Sequence, residues 1–127
     1  MKNPKPYNHY LERLLTLVDL EKFSGTRGPR VKFSLSRVYA LLKSLGDPHK
    51  TSPVIHVAGS KGKGSVTAMV SSILSENGYK VGMFSSPHIH TFRERIRVNG
   101  KPITEGEFVH LVERGWPIVE NISSKAN

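Results

Sequence analysis

Apolar positions fall into four stretches with a helical period and three shorter runs. Over residues 7–22, Leu11, Leu14, Leu15 and Val18 recur at helical spacing with Glu12, Arg13 and Glu21 between them. That pattern predicts a first helix with one apolar face. Leu35, Val38, Leu41, Leu42 and Leu45 form a second stripe. Ser34 is positioned to cap that helix, Gly46 to end it and Pro48 to stop it. Pro53-Val54-Ile55-His56-Val57-Ala58 is a continuous apolar run, the pattern of a buried parallel strand. His56 within it is expected to be a satisfied histidine in the core or at an edge. Residues 65–77 predict a third helix with Val66, Met69, Val70, Ile73 and Leu74 inward and Gly78 as terminator. Residues 79–84 predict the next strand. A strand, a glycine loop, a helix and a strand in succession imply a right-handed parallel crossover.

Further along, residues 85–92 read as a loop. Arg93 to Val98 alternates charged and apolar side chains and predicts a half-exposed strand with Arg93, Arg95 and Arg97 on one side. Asn99-Gly100 is a turn signal. Thr104 and Glu107 have capping-box spacing and open a last helix, which Pro117 is expected to kink or end. Gly25, Gly28 and Pro29 mark residues 24–33 as a loop, and Arg27, Arg30 and Lys32 make it basic. No internal repeat or low-complexity linker interrupts the chain.

Composition narrows the class. The chain has 127 residues, 37% hydrophobic and 23% charged, one domain's worth with enough apolar content for a core. No run approaches the roughly 18 apolar residues of a membrane span. The first residues carry no apolar core of a signal peptide. The absence of cysteine excludes a disulfide scaffold, a thiolate metal site and a cysteine nucleophile, and fits a cytoplasmic location. Net charge is +9, which raises nucleic acid as a partner. No Lys/Arg block reaches the length of a basic patch, and a nucleotide site accounts for the charge equally well.

The candidate chemistry lies in Gly59-Ser60-Lys61-Gly62-Lys63-Gly64-Ser65. Glycines let a backbone approach a phosphate closely. A helix beginning at the end of such a loop adds free N–H groups and its positive dipole end. Lys63 would supply a point charge and Ser65 a hydroxyl. The strict phosphate-loop pattern has its first glycine five residues before the second and Ser or Thr directly after the lysine. Here those positions are Val57 and Gly64. A phosphate cradle and a flexible strand-to-helix turn both remain open on pattern alone.

His56 to Ser65 resembles the ATP loop of the folylpolyglutamate synthase/dihydrofolate synthase family, part of the Mur ligase superfamily. Three more stretches agree in order: Leu45-Gly46-Asp47-Pro48-His49, then Ser85-Ser86-Pro87-His88, then Arg93 to Gly100. The match runs from about Tyr7 to Glu120. Ser60 and Lys61 depart from the family's usual Thr-Asn, keeping a hydroxyl but replacing an amide with a cation. The resemblance implies the N-terminal portion of a P-loop ATPase domain of Mur ligase type, an α/β fold with parallel strands flanked by helices. Residues 1–50 would be a helical segment with a substrate-side loop, and residues 51–127 a partial ATP-binding domain. Full-length members are several times longer, and their later metal ligands, modified lysine and glutamate-binding domain have no counterpart here.

The implied reaction is ATP-dependent amide formation. ATP phosphorylates a carboxylate of the pteroyl substrate, and the amine of L-glutamate attacks the acyl phosphate. By resemblance Gly59, Ser60, Lys61, Gly62, Lys63, Gly64 and Ser65 hold ATP, with Lys63 the catalytic candidate, and Ser86 ligates Mg²⁺. Arg30, Val31, Lys32 and Phe33 align with a substrate-side segment, and His88 supports its loop or meets the substrate. Each has a plainer alternative: a Ser-Pro turn at Ser86, a basic surface loop at residues 30–33, and a solvated face at Arg93, Arg95 and Arg97. His88 and His90 lack the partners of a zinc site. A full-length monomer without membrane or nucleic-acid partners is expected, incapable of turnover as this fragment alone. The competing readings are another Mur-type ligase, acting on peptidoglycan precursors or cyanophycin, a basic nucleic-acid-binding module, and a non-catalytic nucleotide-binding remnant.

Overall fold

In the computed structural model, residues 6–17 and 35–124 are described. The helices are α1 (Tyr7–Leu15), α2 (Ser36–Ser44), α3 (Lys63–Glu76) and α4 (Glu105–Ser124). The strands are β1 (Gly82–Phe84), β2 (Ile96–Val98) and β3 (Lys101–Pro102), and 3₁₀ turns occupy Pro48–Lys50 and Phe92–Arg95. The chain divides into two compact units, Met1–Pro53 with Val109–Asn127, and Val54–Phe108.

In the first unit, α1 meets the part of α4 after Phe108 through polar and aromatic side chains. The Tyr10 hydroxyl donates to Glu113 Oε1, and that bond is the main cause of a phenol pKa raised above the usual value. Arg13 Nη2 lies 2.7 Å from Glu120 Oε1, with its guanidinium carbon 4.3 Å from the centre of the Trp116 ring. The Trp116 indole N–H donates to the same carboxylate oxygen at 2.6 Å. Trp116 first and Arg13 second hold Glu120 below the ordinary carboxylate range. Tyr10, rather than the leucines of the predicted stripe, is the most buried residue of α1. That helix stops at Leu15 with Thr16 as its cap, and residues 18–22 lie outside the described residues. So do Ser34, the predicted cap of α2, and the basic loop at residues 24–33. After α2, Gly46 and Asp47 adopt positive φ, and the Asp47 N–H returns to the Leu42 carbonyl at 2.8 Å, closing the helix end as the glycine signal predicts.

The second unit is α/β with a small sheet in the order β1-β2-β3, both pairings antiparallel. A parallel crossover was the expectation. Among the described residues Pro53–Ala58 joins no ladder, and the strand after α3 pairs instead with the segment that follows it. Between β2 and β3, Asn99 and Gly100, both at positive φ, make the two-residue turn of a hairpin. Asn99 also exchanges hydrogen bonds with Val81, 2.9 Å through its N–H and 2.8 Å through its side-chain oxygen. His56 is exposed rather than a core histidine.

Ile103 and Phe108 are the buried apolar residues of this unit, at 5% and 2% exposure. Phe92 meets Phe108 edge-on at 5.9 Å between centroids. Helix α3 packs against β1; its shielded face carries Thr67, Val70, Ser71 and Leu74, while Val66, Met69 and Ile73 are exposed. Of the five residues predicted inward, only Val70 and Leu74 are shielded. The helix is apolar on two faces, and the sheet covers one. Thr104 and Glu107 form the predicted capping box, but Pro117 does not end α4, which continues to Ser124. Proline removes one N–H and crowds one carbonyl, and the helix spans that break.

Candidate functional site

The glycine loop enters α3 through Gly62, which sits at φ 73° as the helix N-cap with no side-chain cap. Only glycine takes this left-handed conformation without penalty. A Cβ built at Gly62 or Gly64 would meet nothing within 4 Å, so the space beside these residues is open. The first intrahelical bond runs from the Val66 N–H to the Gly62 carbonyl at 3.0 Å. The N–H groups of Lys63, Gly64 and Ser65 have no main-chain acceptor among the described residues. They are a set of donors at a positive helix end, an arrangement suited to an anion. Lys63 is part of the same turn, its Nζ 2.5 Å from the Gly59 carbonyl. Ser60 and Lys61 are exposed on the bend between Gly59 and Gly62. The seven loop residues named from the sequence thus stand together, and their donors suit a phosphate group.

Ser86 lies two residues after β1, exposed, in a cis peptide bond with Pro87. It makes no hydrogen bond to the glycine loop among the described residues. No group of three His, Cys, Asp or Glu side chains among them suits a metal ion. The Ser86 hydroxyl is a hard oxygen of the kind Mg²⁺ accepts, and to hold that ion it would need phosphate and water oxygens beside it. Arg30, Val31, Lys32 and Phe33 lie outside the described residues.

The loop carrying Ser86 and His88 is held by a residue that the alternating charged and apolar pattern did not single out. Glu94 accepts three main-chain hydrogen bonds: from Thr91 at 2.9 Å and His90 at 3.0 Å on Oε1, and from Ile89 at 3.1 Å on Oε2. These bonds, Thr91 first, pull its pKa down to about 2, because each favours the charged carboxylate. Thr91 and Glu94 form a capping box on the 3₁₀ turn. The Thr-x-x-Glu spacing that revealed the start of α4 was legible here too.

Arg93, Arg95 and Arg97 share no solvated face. Arg93 Nη1 donates to the Ile103 carbonyl at 2.9 Å. Arg95 Nε donates to His88 Nδ1 at 2.9 Å. Arg97 Nε donates to the Glu94 carbonyl at 3.1 Å. The first two belong to the 3₁₀ turn, where alternation does not apply. The series is built into the unit and is not a solvated face.

No protein-family model matches the chain. Over 90 residues it is 50% identical to the dihydrofolate synthase/folylpolyglutamate synthase of Bacillus subtilis, covering 71% of this chain and 21% of that protein. The folylpolyglutamate synthase of Thermotoga maritima superposes with a TM-score of 0.76 at 42% identity, over 93% of this chain and 26% of that one. The chain's relatives are folylpolyglutamate and dihydrofolate synthases. A solved folylpolyglutamate synthase complex with AMPPCP and folate matches with a TM-score of 0.77 at 27% identity, covering 96% of this chain and 28% of that one. The chain corresponds to a piece, about a quarter in length, of the folylpolyglutamate synthases it matches.

Proposed function

We propose that this chain is the nucleotide-binding part of a ligase that uses ATP to join L-glutamate to dihydropteroate or a (tetrahydro)folate through an acyl phosphate. The observation that carries the reading is the turn from Gly59 to Ser65, with three free N–H donors and Lys63 at one helix end. In this reading the loop acts as a P-loop, and Pro53–Ala58 takes a place in a parallel sheet of Mur ligase type once the rest of that sheet is present. Residues 1–50 form a helical segment with a substrate-side loop and residues 51–127 the partial ATP-binding domain.

Bound ATP supplies the phosphoryl group that activates the substrate carboxylate. The chain's own contribution is positioning and charge neutralisation. The N–H groups of Lys63, Gly64 and Ser65 hold phosphate oxygens, and Lys63 Nζ leaves the Gly59 carbonyl to offset charge on the transferred group. Ser60 and Lys61 line the approach, Lys61 adding a second cation. Ser86 contributes a hydroxyl oxygen to Mg²⁺. Arg30 and Lys32 meet a carboxylate of the pteroyl substrate, and Phe33 stacks on its ring; Val31 lies between them. The protein works in the cytoplasm as a monomer, and these 127 residues alone do not complete the reaction.

Equilibrium titration with AMPPCP tests the site. Lys63→Ala is expected to weaken binding roughly tenfold or more, the loss of one charge-assisted contact. Equal binding by both proteins, or none by the unsubstituted chain, would sink the reading. Robust glutamate-dependent ADP release by the 127-residue chain, abolished by Lys63→Ala, would overturn its incompleteness. The intact mass of the native product bearing this sequence tells whether the remaining parts are joined to it.

A further inference from the structure

The loop after β1 presents an imidazole whose chemistry is set by its neighbour. The Arg95 guanidinium is always protonated and can only donate. Its Nε–H points at His88 Nδ1 across 2.9 Å, so Nδ1 is the acceptor and carries no proton. A neutral ring then holds its proton on Nε2. The two side chains share one support. The His88 ring lies 5.6 Å from that of Phe92, tilted by 57°, and the Arg95 guanidinium lies 4.8 Å from the centre of the same ring. Phe92 is itself pinned edge-on by buried Phe108. The main chain just beyond His88 is fixed by the three bonds to Glu94. His88 is half-buried, and its Nε2 makes no hydrogen bond among the described residues.

We propose that Arg95 is a positioning residue that locks His88 in the Nε2–H tautomer, so that the loop bearing Ser86 offers one neutral N–H donor to a substrate oxygen. The proposal rests on the ligase reading for the identity of the substrate, not for the tautomer. Two consequences separate it from other roles for a histidine. With Nδ1 engaged and Nε2 protonated, His88 is not a metal ligand. Nor is it the base that takes a proton from an attacking amine, because neither nitrogen has a free lone pair. The acceptor oxygen belongs either to the nucleotide phosphates or to the pteroyl carbonyl and carboxylate groups, which share the chemistry of a hydrogen-bond acceptor.

Nitrogen spectra of the protein labelled with ¹⁵N-histidine test the tautomer, the His88 signals being assigned by their loss in His88→Gln. The expected result is a pyridine-type shift at Nδ1 and a pyrrole-type shift at Nε2. In Arg95→Met the pair should collapse toward the averaged values of exchanging tautomers. A protonated Nδ1 in the unsubstituted protein overturns the proposal, and so does an unchanged spectrum in a folded Arg95→Met. Should that variant not fold, the unsubstituted spectrum still decides the tautomer.

A double-mutant cycle on the complete ligase tests the positioning. His88→Ala should raise the KM of the substrate it contacts about tenfold. Arg95→Met should raise the same KM and add nothing further in the His88→Ala background. Titrating ATP and the pteroyl substrate separately shows which of them supplies the oxygen. Additive losses, or a KM that His88→Ala leaves unchanged for both substrates, would refute it. Absence of folate-dependent turnover in the unsubstituted ligase would refute the functional reading and leave the spectrum standing.

Discussion

Glu94 gathers the N–H groups of Ile89, His90 and Thr91, and this makes one side chain responsible for the loop that carries Ser86 and His88. Its carboxyl is depressed from 4.5 to about 2 in the folded chain. A depressed carboxylate contributes stability in full above its unfolded value, and that contribution is lost as pH falls toward the folded one. The unfolding midpoint should therefore decline between about pH 4.5 and pH 2, and Glu94→Gln should remove that part of the decline. Gln would also set an amide nitrogen against an N–H donor, so the variant should start less stable at neutral pH. An acid profile identical in both proteins would refute this account. At this scale the sequence was legible wherever a residue's chemistry is local. The loop residues Gly59 to Ser65 stand in one turn as their order implied. The partners of Arg93, Arg95 and Arg97 were not legible, because each is chosen by the path of the chain around the 3₁₀ turn and not by spacing along it.

Among the elements, α3 depends on Gly62 for its entry. At φ 73° alanine would be held in the left-handed region at a cost of about 1–2 kcal/mol, with no steric clash because its Cβ meets open space. Gly62→Ala should lower stability by about that amount in urea titration. It should also weaken AMPPCP binding, since the new methyl stands on the open side of the turn. Unchanged stability would contradict the dihedral argument. Helix positions were readable from periodicity and caps, as Gly46, Gly78 and the box of Thr104 and Glu107 illustrate. Sheet pairing was not, because a run such as Pro53–Ala58 carries no information about which strand lies beside it. Pro117, expected to kink or end α4, does not end it: proline forbids one hydrogen bond, while the turns on either side of it still form theirs.

At the scale of the molecule, large apolar side chains are exposed on neighbouring elements among the described residues. Met69 and Ile73 are 65% and 61% exposed on α3, and Phe84 is 69% exposed on β1. Isolated exposed hydrophobics are ordinary, but several on neighbouring elements favour association. The double substitution Met69→Ser with Ile73→Ser should therefore change unfolding free energy little, by roughly 0.5 kcal/mol per site. It should also reduce concentration-dependent association in size-exclusion chromatography. A loss of several kcal/mol would mean that these side chains are packed in solution. The expectation that α3 turned all of Val66, Met69, Val70, Ile73 and Leu74 inward assumed one covered face, whereas the helix is apolar on two.

The short contact between Lys63 and the carbonyl of Gly59 gives the anion site a resident competitor. On the proposed reading, an arriving phosphate would not capture a lysine from bulk water; it would displace an internal acceptor that already holds the ammonium group. Affinity measured at this turn is therefore an exchange quantity, the new contact less the old one. The exchange also keeps the cation from wandering, since a lysine restrained beforehand has less rotamer freedom left to surrender.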